Sequence, residues 1–228
     1  MSGVAERLET IHQKIEAACR RAGRRPEEVS LLAVSKLMPS SLIREAYAAG
    51  QRAFGENYAQ ELRDKAKELA GLEGLRWHAI GPLQSNKAKY VADVAHAFHA
   101  LDRLGIAEEL SKRRVSGPGS ALPPLKCFLE VNVAAESTKS GVSPEGAALL
   151  LEGVRRLPGL EVVGLMALPP LQDDPERMRE PFRALRELAR TLGLPELSMG
   201  TTGDFEIAIE EGATVVRVGT AIFGARPV

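Results

Sequence analysis

Short apolar runs alternate along this chain with stretches in which apolar residues recur three and four apart. The runs Ser30–Lys36, Arg52–Gly55, Arg76–Gly81, Ala95–Leu101, Lys126–Val133, Leu160–Ala167, Glu196–Gly200 and Thr214–Thr220 predict strands. Helical spacing marks Ser40–Ala49, Tyr58–Leu69, Pro144–Leu157 and Glu176–Leu192, and an amphipathic helix over about Val4 to Ala22 precedes the first strand. Strands alternating with helices in this way predict parallel βαβ units. With eight such strands, closure into a (β/α)8 TIM-type barrel is more natural than an open doubly wound sheet. Leu31-Leu32-Ala33-Val34 and Val215-Val216 are continuous apolar runs, as expected of strands covered on both faces. The Gly-, Pro- and Ser-rich stretch Val115–Pro124 reads as a mobile surface connection rather than a domain linker. A length of 228 residues without repeat or low-complexity tract then predicts one domain over residues 1–228.

Charge narrows the partners. Thirty basic and 30 acidic side chains leave a formal net charge of zero, which gives no reason to expect a polyanion or an anionic membrane. The basic clusters Arg20-Arg21 with Arg24-Arg25, and Lys112-Arg113-Arg114, read as solvated helix faces. Cys19 and Cys127 stand far apart without metal-ligand spacing, which suits a reducing compartment and no disulfide framework. The chain opens without a signal-peptide layout and contains no bilayer-spanning apolar run, so a cytoplasmic protein is expected. The helices show no second apolar stripe, which favours a monomer.

Functional groups in such a barrel project from the carboxyl ends of the strands. That rule selects Lys36 after strand one, Glu56-Asn57 after strand two, and His78 with Gly81 at strand three. It also selects Met199–Gly203 after strand seven and Arg217–Thr220 at strand eight. A lysine directly after LLAVS either reaches solvent as an ordinary strand cap or lies in a desolvated mouth that favours the neutral, nucleophilic amine. Arg217, inside ATVVRVGTAIFG, needs a specific acceptor: a carboxylate on a neighbouring helix, or a ligand. The turns GTTGD and GTAIFG follow the last two strands, where barrels of this kind recurrently bind phosphate through backbone N–H groups and hydroxyls. A lysine facing such a cradle suggests a phosphorylated carbonyl compound held as an imine, and a Schiff-base aldolase fits the same arrangement. His96 and His99 read as ordinary polar positions rather than a metal pair. The sequence contains no GxGxxG, Walker, GxSxG or HExxH motif.

Read in order, LLAVSK (31–36), AGQRAFGENYAQE (49–61), WHAIGPLQSNK (77–87), LDRL (101–104), EVNVAAESTKSG (130–141), GLMA (164–167), LSMG (197–200) and GATVVRVGTAIFGAR (212–226) resemble the pyridoxal phosphate homeostasis protein family (YggS/PROSC type). The resemblance runs from about residue 5 to residue 226. It implies a barrel like the N-terminal domain of alanine racemase, with pyridoxal 5′-phosphate in imine linkage to Lys36. It further implies Arg217 at the pyridine nitrogen, Gly219, Thr220, Thr201 and Thr202 at the phosphate, and Asn57 and Ile80 along the ring. Family members carry or regulate the cofactor in cells, with apo pyridoxal-phosphate enzymes as possible recipients, and the family as a whole has no convincing catalytic activity. Two departures stand out. The family usually follows its lysine with Thr and often a further Lys or Val before Pro, whereas this chain has Leu37-Met38-Pro39, so a second amine is missing. Where the family commonly has Gly-Met-Ser-x-Asp, this chain has Gly200-Thr201-Thr202-Gly203-Asp204, keeping a hydroxyl at Thr202.

An arginine at the pyridine nitrogen only donates, so the nitrogen stays an unprotonated acceptor and the ring is a weak electron sink. Three functions follow as alternatives: a non-catalytic cofactor-holding protein in vitamin B6 homeostasis, a small amino-acid racemase, and a cofactor-free barrel aldolase. The first is the expectation carried forward.

Overall fold

The computed structural model describes residues 3–134, 140–170 and 174–225. Its strands are β1 (Ser30–Val34), β2 (Ala53–Glu56), β3 (Arg76–Ala79), β4 (Ala97–Leu101), β5 (Leu125–Glu130), β6 (Leu160–Met166), β7 (Glu196–Ser198) and β8 (Val215–Val218). They close in sequence order into one parallel barrel, with β8 returning to β1 through Ser30↔Val215, Leu31↔Val216, Leu32↔Arg217 and Ala33↔Val218. Each predicted strand is present, and all except β2 and β4 end earlier than the apolar pattern suggested. Lys36, Gly81 and Gly200 therefore lie just past the ladder, and Thr220 opens the short helix that follows β8.

The helices are α1 (Val4–Arg21), α2 (Ser40–Ala48), α3 (Ala59–Glu68), α4 (Ala88–Ala92), α5 (Leu104–Ser116), α6 (Ala147–Arg155), α7 (Arg179–Leu192), α8 (Phe205–Glu210) and α9 (Thr220–Phe223). Helix α1 buries Val4, Leu8, Ile11, Ile15 and Ala18 against α2, α8 and α9. Such a stripe at helical spacing is the main source of its stability. The predicted helix Glu176–Leu192 divides: a 3-10 turn over Pro175–Met178, capped by Asp174 accepting from the Glu176 N–H, precedes α7. Gly164 lets β6 and β7 pair, since a Cβ there would sit 2.0 Å from the Glu196 carbonyl oxygen.

Two expectations need correction. Arg24 and Arg114 do not belong to solvated faces: Arg24 donates to the carbonyls of Ile209 and Ala213, and buried Arg114 to those of Ala92, Ala95 and Pro123. Buried loop carbonyls without ladder partners need donors, and a guanidinium supplies several at once. Those bonds also tie down the stretch Val115–Pro124, which forms a 3-10 turn over Pro118–Ala121 with Gly119 packed on the Ala92 carbonyl. Cys19 and Cys127 are free and buried, and burial pushes the Cys127 thiol up to about 12. Among the described residues no helix is long and apolar enough to cross a membrane.

Candidate functional site

A cavity of about 460 Å³ opens at the carboxyl ends of the strands. Lys36, Asn57, Ile80, Thr201, Thr202, Arg217, Gly219 and Thr220 all line it, whereas Glu56 and His78, selected by the same carboxyl-end rule, do not, and His78 lines a cavity at the amino-terminal mouth instead.

The segment carrying Lys36 is held from behind. Leu37 is the one non-glycine among the described residues with a positive φ, at 61°. A left-handed leucine costs roughly 1–2 kcal/mol and needs outside support. Glu61 of α3 supplies it, its Oε1 accepting from the Leu37 N–H at 2.7 Å. Lys65, one turn further along α3, donates to the same Glu61 oxygen at 2.7 Å, to Glu56 Oε1 at 2.8 Å and to the Ser35 carbonyl at 2.7 Å. The Ser35 hydroxyl completes the cluster by donating to Glu56 Oε1 at 2.6 Å. Burial pushes the Glu56 carboxyl up to about 7 against the pull of Lys65 and Ser35, and its Oε2 has no partner among the described residues. Sequence inspection marked Glu56 but missed Glu61 and Lys65. The available signal was a charged pair at i, i+4 on the first helix after the second strand.

Arg217 is buried in the barrel wall. Its Nη1 donates to the Ser198 carbonyl at 2.6 Å and to Ser198 Oγ at 2.8 Å, and its Nη2 to the Ala167 carbonyl at 2.9 Å. The acceptors are thus backbone and hydroxyl oxygens, not a helix carboxylate. Desolvation lowers its pKa to about 10, which still leaves a cation at neutral pH. Three of five N–H groups are used, and the remaining donors belong to a side chain that lines the cavity.

Next to the end of β1, the turns after β7 and β8 meet. Gly200 has φ +88°, and the Thr201 N–H and hydroxyl both donate to Asp204 Oδ1, at 2.5 and 3.0 Å. Thr201 therefore shapes the turn, and its donors are spent. Thr202 Oγ1 lies 3.4 Å from both the Gly219 nitrogen and Thr220 Oγ1, which gathers two hydroxyls and a backbone N–H in one place. Just past β3, Ile80 leans over Gly55, and Gly81 lets the chain pass the Asn57 carbonyl, which a Cβ would meet at 2.4 Å.

Glu130 also lines the cavity, a residue that chemistry alone did not select from the sequence. Burial, with Asp102 adding, pushes its carboxyl up to about 7, and Arg217 opposes the shift. Exposed Tyr58 is not among the lining residues, Tyr47 bonds the Glu73 carbonyl, and Tyr90 packs under Arg63. His96 is exposed, whereas His99 is fully buried inside the barrel, stacked on Phe128. Among the described residues no group of three or more His, Cys, Asp or Glu forms a metal cluster.

Comparison with known proteins gives this geometry its setting. The alanine racemase N-terminal domain family matches residues 7–227. A pyridoxal phosphate homeostasis protein of Pseudomonas aeruginosa is 49% identical over 228 residues, spanning 99% of this chain and 97% of that protein. The chain belongs to the pyridoxal phosphate homeostasis protein family. Its Escherichia coli relative of the same name is 44% identical over 236 residues, covering 99% of this chain and 98% of that one. Among solved structures, PipY of Synechococcus elongatus with pyridoxal phosphate bound superposes with a TM-score of 0.80 at 35% identity, over 97% of this chain and all of that one. Alanine racemase of Corynebacterium glutamicum shares the fold alone, with a TM-score of 0.65 at 19% identity, over 97% of this chain and 62% of that one.

Proposed function

We propose that this chain binds pyridoxal 5′-phosphate covalently through Lys36 and serves vitamin B6 homeostasis, holding the cofactor rather than turning over substrate. The observation that carries this reading is the cavity, which the lysine after β1 shares with two hydroxyls and a glycine N–H on the turns after β7 and β8 and with a guanidinium that has spare donors. The residues fit the group: a dianionic phosphate needs converging donors, and a pyridine nitrogen needs one donor that never deprotonates near neutral pH. Pyridoxal phosphate supplies an aldehyde that condenses with an amine and a ring that accepts electron density. Lys36 provides the amine, Thr202, Gly219 and Thr220 hold the phosphate, Arg217 faces the nitrogen, and Asn57 and Ile80 flank the ring. The names of the relatives and the cofactor bound in PipY support it. We take residues 1–228 as one cytoplasmic, monomeric domain, with apo pyridoxal-phosphate enzymes as candidate recipients.

Borohydride reduction followed by peptide mapping tests the attachment. The pyridoxyl-phosphate adduct is expected on Lys36, and Lys36→Ala is expected to remove the visible absorption. An adduct mainly on Lys139, which lies outside the described residues, would overturn the assignment. For the phosphate, a hydroxyl bonded to a charged acceptor is worth roughly 1.5–3 kcal/mol. Thr220→Val should then weaken pyridoxal phosphate by about tenfold or more while leaving phosphate-free pyridoxal nearly unchanged. Equal losses for both ligands would show a perturbed barrel instead.

The shared fold with alanine racemase keeps a racemase as the second reading. Moving a proton on each face of a substrate carbon requires two groups, each within about 2.6–3.2 Å of its proton. No tyrosine is among the cavity's described lining residues, and Arg217 leaves the ring a poor electron sink. Deuterium uptake at the α-carbon of L-alanine in D₂O, with a chiral assay, is expected to stay at background. Lys36-dependent exchange near the usual enzymatic range of about 1–10³ s⁻¹ would promote the racemase.

A further inference from the structure

The barrel has a second cavity, of about 670 Å³, at its opposite, amino-terminal mouth. Its walls are largely apolar, formed by Leu32, Ala53, Ala97, Phe128 and Val215. Four cations reach it, but three are already engaged. Arg24 and Arg114 clamp loop carbonyls, and Lys126 lies 3.5 Å from Glu196. Arg76 has no hydrogen-bond or ion-pair partner among the described residues, and it is exposed at the rim. It shares an inward face of β3 with His78, two residues on.

His78 ends a hydrogen-bonded chain that starts at Arg217 and crosses the barrel interior. Arg217 Nη1 donates to Ser198 Oγ at 2.8 Å, Ser198 Oγ lies 2.8 Å from His99 Nδ1, and His99 Nε2 lies 2.9 Å from His78 Nδ1. The charge at one end sets the direction of every bond. A guanidinium only donates, so Ser198 Oγ accepts from it. The Ser198 hydroxyl is fully buried, and its proton has one acceptor among the described residues, His99 Nδ1. An unprotonated Nδ1 places the proton of neutral His99 on Nε2, which donates to His78 Nδ1. Neutral His78 must then carry its proton on Nε2. Desolvation keeps both imidazoles neutral, holding His78 down at about 3 and His99 well below its ordinary value. His78 Nε2–H has no acceptor among the described residues, and its side chain lines the lower cavity.

We propose that the lower mouth binds a small monocarboxylate with an apolar body, its carboxylate taken by Arg76 and the His78 Nε2–H and its hydrocarbon part by the wall of Leu32, Ala97 and Phe128. One unengaged cation with one neutral donor matches a single negative charge, not a phosphate, and a mostly apolar space with few polar groups is how small-molecule sites are built. The site is independent of the cofactor reading, since the direction of the chain rests on the Arg217 charge alone. Its acceptor would also complete the chain and polarise it back toward Arg217.

Isothermal titration of the purified protein with hexanoate, against hexanol and inorganic phosphate, tests the proposal. Hexanoate is expected to saturate one site with a dissociation constant below about 1 mM, and hexanol and phosphate to bind at least tenfold more weakly. Arg76→Ala, at an exposed position that leaves the core intact, should weaken hexanoate at least tenfold, while Lys36→Ala should leave it unchanged. The ¹⁵N spectrum of His78 provides a readout that needs no variant: an Nε2–H tautomer whose signal shifts on adding hexanoate. Absence of saturation, indifference to Arg76→Ala, displacement of hexanoate by pyridoxal phosphate, or an Nδ1–H tautomer at His78 would each overturn it.

Discussion

Replacing Lys65 with methionine is expected to destabilise the fold by about 3–5 kcal/mol, the usual penalty for removing one partner of a buried ion pair. For a domain of this size that lowers the melting temperature by about 6–20 °C. Lys65 is 7% exposed and holds Glu56, Glu61 and the Ser35 carbonyl together, so its loss strands a carboxylate that is 1% exposed. Methionine keeps most of the volume, which separates the charge effect from a cavity. The penalty has a pH signature. The Glu56 pKa in the fold, about 7, lies above the ordinary carboxyl value of 4.5, so the folded protein binds the extra proton. That contribution is fully present below pH 4.5 and is lost as pH rises to about 7. In Lys65→Met the carboxyl loses the cation that favours its charged form, so its pKa rises further, and the part of the deficit that comes from its charge should be small below pH 7 and grow as pH rises above 7. The companion Glu56→Gln/Lys65→Met should remove that growth. A thermal-melt series from about pH 5 to pH 9 checks both. The same variant releases Glu61 from Lys65 and so loosens the left-handed turn at Leu37. Weaker attachment of pyridoxal phosphate at Lys36 should accompany the lower stability.

The parts of the molecule that sequence could reveal are those governed by periodicity and by chain order. Alternating runs located all eight strands, because a parallel barrel buries both strand faces and leaves a continuous apolar signature. The carboxyl-end rule then gathered Lys36, Asn57, Arg217 and Thr220 without any distance information. What stayed hidden depends on partners far apart in the chain. Glu61 and Lys65 went unmarked, since nothing in AQELRDKAKE says that this face docks behind Lys36. Arg24 and Arg114 looked like members of basic surface clusters because their carbonyl partners lie on other segments, up to 189 residues away. His99 could not be linked to Ser198, 99 residues on, until the barrel closed. The strand ends were overestimated for a local reason. Apolar character continues past the ladder into the turns, where Leu37, Ile80 and Met199 remain hydrophobic while the backbone leaves the sheet.

Gly200→Ala is expected to cost about 2–5 kcal/mol in stability and to weaken pyridoxal phosphate selectively. Two separate effects add. The residue has φ +88°, a left-handed conformation that costs an alanine roughly 1–2 kcal/mol. Its new Cβ would also stand 2.5 Å from Ala208 Cβ and 2.9 Å from Phe205 Cα, so α8 or the turn must move. Overpacking of that kind costs typically about 1–3 kcal/mol. Gly193→Ala provides the internal control, because Gly193 has φ +66° with nothing within 4 Å of its added Cβ. It carries the conformational cost alone, and the difference between the two variants isolates the steric part. Function should follow the displacement. Gly200 begins the turn in which Asp204 fixes Thr201 and thereby places Thr202 beside Gly219 and Thr220. Shifting that turn pulls one hydroxyl from the phosphate wall without touching Lys36. Gly200→Ala should therefore lose affinity for pyridoxal phosphate by about tenfold, retain imine formation with phosphate-free pyridoxal, and leave Gly193→Ala indistinguishable from the parent in both. If Gly200→Ala melts with Gly193→Ala and binds the phosphorylated cofactor normally, the turn after β7 does not hold the phosphate, and that wall of the site must be reassigned.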